Sequence, residues 1–425
     1  MSPIVWHMRP DSFVFETLAH FVRNVDGPPP GVPLGADAEF ETTLATMCVE
    51  QAISPVVSAS LDRLSLPPNL SALTAARLRR HAAGLRAAAG RRRQLAVRVG
   101  RAFAAARIRY ALMGGVRSAV NYPSGQRAIG VVEILIEPRE SARAIRTLTS
   151  IGLRLNGPHA VFGRSIPNRT VSNRRAGELL RYHHFFSPLL LSDERGLVVR
   201  LRHRGVDTGD IHAHDDALDR AILCPVGQSQ VSGVSDEDHM VDLAVRAGVD
   251  ALAVLPTVVD IARLVAVRGD ALNWNLVAAR ARLARLYAPV CYVVRHACSL
   301  MGINDQRLGL EPIGRIPESF LRAWWAPDRI DYADLPARRA GRFVFGVMFA
   351  GRMRTRIRWV WGHVAFHRRW VRNRLGGRPT LWRSIRFLFV SRETPEWWRA
   401  LATGAAQTPL AAGPFARDRQ PGGEG

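Results

Sequence analysis

Few residues of this chain stand in patterns that do chemistry unaided. His212-Ala-His214-Asp215-Asp216 gathers metal-ligand residue types in five positions, but the same string suits an exposed turn that caps a helix opening at Ala217. His183 and His184 are adjacent imidazoles, suited to hydrogen bonding or to proton transfer near neutral pH. Asp242 and Asp260 fall in helical segments, where solvated or capping carboxylates are the rule. Cys48, Cys224, Cys291 and Cys298 form no CxxC pair and read as buried thiols, not zinc ligands. All 59 basic residues are arginine. With no lysine there is no phosphate-loop lysine, no Schiff base and no lysine general base. Gly-x-Ser-x-Gly, His-Glu-x-x-His and Gly-x-Gly-x-x-Gly are all missing.

One ordered set of short blocks says more. Tyr110-Ala-Leu-Met-Gly-Gly-Val-Arg-Ser-Ala-Val-Asn-Tyr-Pro123 is followed by Arg127-Ala-Ile-Gly-Val-Val-Glu-Ile-Leu-Ile136. Then come His183-His184, Pro188-Leu189 and Leu197-Val-Val-Arg-Leu-Arg-His203. The flanks carry Ile53-Ser-Pro-Val-Val57, Val259-Asp-Ile-Ala262 and Asn273-Trp274. In content and order these resemble the bacterial uncharacterised nucleotidyltransferase family over roughly residues 12–305. The individual blocks are short, and their order carries the likeness.

The resemblance implies transfer of a nucleoside monophosphate from a nucleoside triphosphate to an acceptor that the sequence does not name, with Mg²⁺ as cofactor. In such a site, residues i and i+2 of a strand share a face about 7 Å apart. Carboxylates there hold two metal ions roughly 4 Å apart, and a third acid on a neighbouring strand completes the set. Carried over residue by residue, the first acid falls on Val131, the second on Glu133 and the third on Arg200. The histidine after the third falls on Arg202, and the lysine before the glycine turn on Met113. Glu133 is therefore the one surviving acid, the catalytic candidate and the metal ligand if any metal binds. Glu137 shares its face but lies about 13 Å along an extended strand, too far to share a metal pair. Arginine beside Glu133 suits a salt bridge in place of the metal. Gly114, Gly115, Arg117 and Arg127 are the candidate phosphate contacts, because a glycine turn lets backbone amides approach an anion. The expectation is a nucleotidyltransferase-family protein with lost or reduced catalysis, a pseudoenzyme. The alternatives are a non-catalytic nucleotide- or anion-binding protein, and a membrane-surface or nucleic-acid-binding protein acting through its arginine-rich C-terminal region.

The elements that must position these residues follow from period and punctuation. The spacing predicts helices over 12–24, 38–62 and 72–107, the last an Ala/Arg run that Gly84, Gly90 and Gly100 could divide in two. Ile108–Met113, the β-branched Val131–Ile136, a short stretch near Leu153, Leu189–Leu191 and Leu197–Leu201 predict strands. Helices are expected over 138–150, 236–247, 251–267 and 276–301, with Pro256 and Pro289 starting or kinking the last two. The fold class is an α/β nucleotidyltransferase-like domain embedded between helical segments, α+β overall. The expected divisions are an N-terminal helical region at 1–107, the nucleotidyltransferase-like domain at 108–235, a helical module at 236–305, a basic aromatic helical region at 306–400 and a disordered tail at 401–425.

The net charge of +23 is concentrated. Residues 77–109 hold 11 arginines and no acid, and residues 341–400 hold 14 arginines, two acids and 12 Phe or Trp. The second stretch places Met353, Ile357, Val360, Val364, Val371 and Leu375 near one helical face. Such a segment can lie on an anionic membrane, contact nucleic acid, or pack on the domain. Arg358-x4-His363 is similar to the Arg-x4-His of helical ribonuclease modules, but about two such matches arise by chance among so many arginines. No apolar run approaches the roughly 20 residues of a transmembrane helix, and Met1–Phe15 lacks an apolar leader. A cytoplasmic protein, with a peripheral membrane alternative, is the expectation.

Overall fold

The sequence from Ala72 onward builds one helix of 34 residues, Ala72–Ala105, where a division at the glycines had been open. In the computed structural model, which describes residues 38–63, 70–156, 189–203, 216–249, 255–284, 286–300, 302–303 and 308–310, two shorter helices precede it. The expected helix at 12–24, His183-His184, His212 to Asp215 and everything after 310, including Arg358, His363 and the basic aromatic region, lie outside the described residues.

The two shorter helices are α1 (Ala38–Glu50) and α2 (Ser54–Arg63), which replace the single helix expected over 38–62. The break has a cause. Ala52 takes a left-handed φ of 53°, and Pro55 needs a first-turn position because it has no N–H to donate. The long helix is α3. Its N-cap Ser71 accepts from Thr74 N at 3.2 Å, and Glu41 of α1 accepts from Ser71 N at 2.6 Å. Gly84 and Gly90 interrupt nothing, whereas Gly100 is required by its surroundings. A Cβ there would stand 2.7 Å from Tyr110 Oη and 3.0 Å from Val231 Cγ1.

After α3 come β1 (Tyr110–Met113), α4 (Gly114–Ser118), a 3₁₀ turn at Ala119–Asn121 and β2 (Val132–Ile136). Then follow α5 (Ser141–Ser150), β3 (Arg154–Asn156), β4 (Leu189–Ser192), β5 (Val198–Arg202), β6 (Ile222–Val226) and β7 (Ser229–Gly233). They form one mixed sheet in the order β3-β4-β5-β2-β1-β7-β6. β2 is central, antiparallel to β1 and parallel to β5. The β6–β7 hairpin was not foreseen. Pro225 argues against a strand, but β6 is an edge, where proline is tolerated. Asp216 and Ala217 open a turn and not the expected helix.

Four helices close the described fold: α6 (Asp236–Val249), α7 (Leu255–Arg268), α8 (Trp274–Leu283) and α9 (Tyr287–Leu300). The single helix expected over 276–301 is two. Pro289 sits in the first turn of α9, where its missing N–H costs nothing. Two main apolar cores result. One joins α1, α2 and Leu78 of α3 to α6–α9. The other lies between the second half of α3, α5 and one sheet face, and includes Val99, Phe103, Val132, Ile134 and Leu148. The architecture is the expected α+β one, and strand alternation turns Glu133 to the opposite sheet face, beneath α6.

Candidate functional site

The strand β2 is apolar at every position but one. Val132, Ile134 and Ile136 enter the core under α3, and Glu133, between the first two, is buried on the other face. Parallel pairing sets Glu133 opposite Arg200 of β5, and Arg202 shares the face two residues on. Val131 lies just ahead of β2, outside the strand in which it was expected. From above, α6 supplies Asp242 and Arg246, four residues apart and hence on one helix face.

These side chains form an ionic cluster. Arg200 Nη1 donates to Glu133 Oε1 at 3.2 Å and Arg202 Nη1 to Oε2 at 3.4 Å. Arg246 reaches both oxygens, Nη1 to Oε1 at 2.9 Å and Nη2 to Oε2. Asp242 accepts from Arg202 Nη1 at 3.0 Å, and its Oδ2 lies 2.9 Å from Arg246 Nε. Burial alone would raise the Glu133 carboxyl, but Arg246, Arg200 and Arg202 outweigh it and hold the group well below the usual carboxylate range. For Arg246, burial is likewise outweighed, by Asp242 and Glu133, and its guanidinium is held charged. Among these five side chains three guanidiniums meet two carboxylates. The Arg200 and Arg246 side chains are 22% and 24% exposed, which leaves both within reach of solvent.

The glycine turn lies against this cluster. Gly114 has φ +57°, and a Cβ on it would stand 2.9 Å from Glu133 Cδ. The two arginines expected at phosphate have protein partners here. Arg117, almost wholly buried, donates from Nε to Val234 O at 2.8 Å and from Nη2 to Asp236. Arg127 forks onto Asp260, Nε to Oδ1 at 2.7 Å and Nη2 to Oδ2 at 2.8 Å, and Tyr122 Oη donates to the same Oδ1 at 2.8 Å. His239 of α6 meets Ser118 Oγ at 3.0 Å. Burial, reinforced by Arg117 and Arg246, holds its imidazole well below the usual range and so neutral.

Sequence reasoning placed Glu133, Arg200 and Arg202 together and missed Arg246, Asp242, Asp260 and His239. Asp242 and Asp260 are buried ion-pair partners, not solvated or capping groups. The available signal was the i, i+3, i+7 spacing of His239, Asp242 and Arg246 on one helix face.

A two-metal site needs several carboxylate oxygens free to coordinate. Both Glu133 oxygens already accept from guanidiniums, and three cationic groups occupy the surrounding space. Among the described residues no group of three or more His, Cys, Asp or Glu is placed to hold a metal. The residues present do not fit the metal pair.

A family model described as uncharacterised nucleotidyltransferase matches residues 38–302, more than half of the chain. The chain belongs to this family. No curated protein and no solved structure matches it. Family membership brings a nucleotide partner and, in general, a divalent metal and nucleoside triphosphate. This member has its central sheet strand occupied by an acid that arginines enclose. Among the described residues no helix is long and apolar enough to cross a membrane.

Proposed function

We propose that this nucleotidyltransferase-family protein binds a nucleoside triphosphate, or another phosphorylated anion, without metal and that nucleotidyl transfer has been lost. The observation that carries this reading is the enclosure of Glu133 by Arg200, Arg202 and Arg246. A metal brought to Glu133 would have to displace guanidiniums already bonded to it. An incoming phosphate instead meets guanidiniums, two of them, Arg200 and Arg246, partly exposed and able to donate to it. Gly114 and Gly115 line the same turn, while Arg117 and Arg127 act indirectly by bracing it through Asp236 and Asp260.

The test is nucleotide transfer. The protein is incubated with α-labelled nucleoside triphosphates, Mg²⁺ and cell extract, and labelled products are separated. The expected result is no label on any acceptor above that of the Glu133→Ala variant. Transfer that needs Mg²⁺ and vanishes in Glu133→Ala would overturn the proposal. In a parallel binding measurement, Arg200→Gln should weaken a fluorescent nucleoside triphosphate by at least about tenfold, the worth of one charge-assisted hydrogen bond.

A further inference from the structure

The long helix α3 carries a charge that the arginine cluster leaves unexplained. One side of it is buried, through Leu78, Leu85, Leu95, Val99 and Phe103. Arg77, Arg80, Arg91, Arg98 and Arg101 are exposed on the other side. At 100° per residue these five fall within an arc of roughly 120°, so they make one stripe along a helix roughly 50 Å long. Among the described residues almost nothing neutralises it. Arg98 lies 3.9 Å from Asp193, and Arg101 Nη2 donates to Ser229 Oγ at 3.5 Å. Arg77, Arg80 and Arg91 have no acidic partner among the described residues.

The stripe runs into a concavity. Where the second half of α3 faces the turn between α5 and β3 and the β4–β5 hairpin, a cleft of about 630 Å³ opens. Arg91, Arg98, Arg154 and Arg195 line it against Asp193 and Glu194, a balance of four positive to two negative. The two acids are engaged. Asp193 Oδ1 accepts from Arg195 N at 3.0 Å and Leu197 N at 2.8 Å and so shapes the hairpin, and Glu194 pairs with Arg154 at 2.9 Å. Arg91 and Arg195 remain without acids among the described residues.

We infer that the outer face of α3 and this cleft form a docking surface for nucleic acid, held through its phosphates. Charge complementarity requires an anion, and the length of the stripe requires a polymer. A bilayer fits less well. Between the arginines stand Ala76, Ala83, Ala87 and Gln94, and the one large apolar side chain exposed on the helix is Leu73 at its start. An interfacial helix needs an apolar face to insert. No aromatic residue lies on the stripe to stack bases, so the contact reads backbone and not sequence. α3 covers the sheet face opposite Glu133, so this surface is separate from the arginine cluster and does not depend on the function proposed there.

The experiment uses the full chain and a fluorescent 30-base-pair duplex of mixed sequence, with affinity measured across a salt series. Duplex binding should weaken with log salt by about 0.9 for each phosphate contact. Replacing Arg77, Arg80, Arg91, Arg98 and Arg101 by Gln keeps helix propensity. It should cut the slope by about 3–5 and the affinity at 0.1 M salt by at least about 100-fold. The pair Arg91→Gln/Arg98→Gln, both exposed, should move the slope by about 1–2 in the same direction with an unchanged circular-dichroism spectrum. Arg200→Gln should leave duplex binding unchanged. A wild-type slope and affinity in both stripe variants would overturn the inference. So would loss of binding to vesicles containing anionic lipid with duplex binding intact, which would make the face a membrane surface.

Discussion

Replacing Glu133 by Gln keeps the shape of the side chain and removes its charge. In the structure that carboxylate is 8% exposed and bonded to three guanidiniums. Removing one partner of a buried ion pair costs about 3–5 kcal/mol, because the charge left behind is unpaired. Two features place Glu133→Gln at the lower end, about 3 kcal/mol by that range. Asp242 still holds Arg202 and Arg246, and Arg200 and Arg246 are open enough to regain some water. For a domain of this size that is a fall of roughly 6–8 °C in thermal midpoint, read by circular dichroism at pH 7. The sign of the pH dependence is fixed. The folded pKa of Glu133 is depressed from an ordinary 4.5, so its stabilisation is complete above that value and fades as pH falls towards the folded pKa. The gap between wild type and Glu133→Gln should be constant from pH 8 to 5 and narrow only below about 4.5. A metal-binding active-site acid behaves differently. Its removal relieves a site kept for function and is neutral or stabilising. An unchanged or raised midpoint for Glu133→Gln would refute the ionic-cluster account.

Two glycine substitutions probe the same structure from its backbone. Gly114→Ala combines a left-handed φ with a Cβ 2.9 Å from a carboxylate that cannot swing aside, and should cost about 2–4 kcal/mol in urea unfolding. Gly100→Ala and Gly90→Ala lie on one helix but should move stability in opposite directions in the same assay. The first forces a Cβ to 2.7 Å from Tyr110 Oη and should destabilise by about 1–3 kcal/mol. The second meets nothing within 4 Å and should stabilise by about 0.5–1 kcal/mol.

Much of this fold was legible because local pattern and tertiary position agree. Val132–Ile136 is β-branched and apolar enough to be a buried central strand, and the spacing to Val198–Arg202 was enough to set Glu133 against Arg200. What was not legible depends on distance in space. Arg246 stands 113 residues from Glu133, and only the way α6 crosses the sheet brings them together. Asp242 and Asp260 look like ordinary helix-surface acids until burial is known. Pro225 hid the β6–β7 hairpin because proline counts against a strand except at an edge. The continuity of α3 past three glycines follows from packing along its inner face and not from propensity, which alone would have allowed a break.

The central claim is that a guanidinium cluster has taken the place of the metals and still receives phosphate. Isothermal titration of the full-length protein with ATP, once in EDTA and once in excess Mg²⁺, tests it most directly. The account predicts binding in EDTA that Mg²⁺ weakens, because magnesium neutralises the triphosphate and finds no free carboxylate pair to bridge to. It also predicts that Arg200→Gln reduces that binding. Binding that appears only with Mg²⁺, or no binding in either condition, would contradict it.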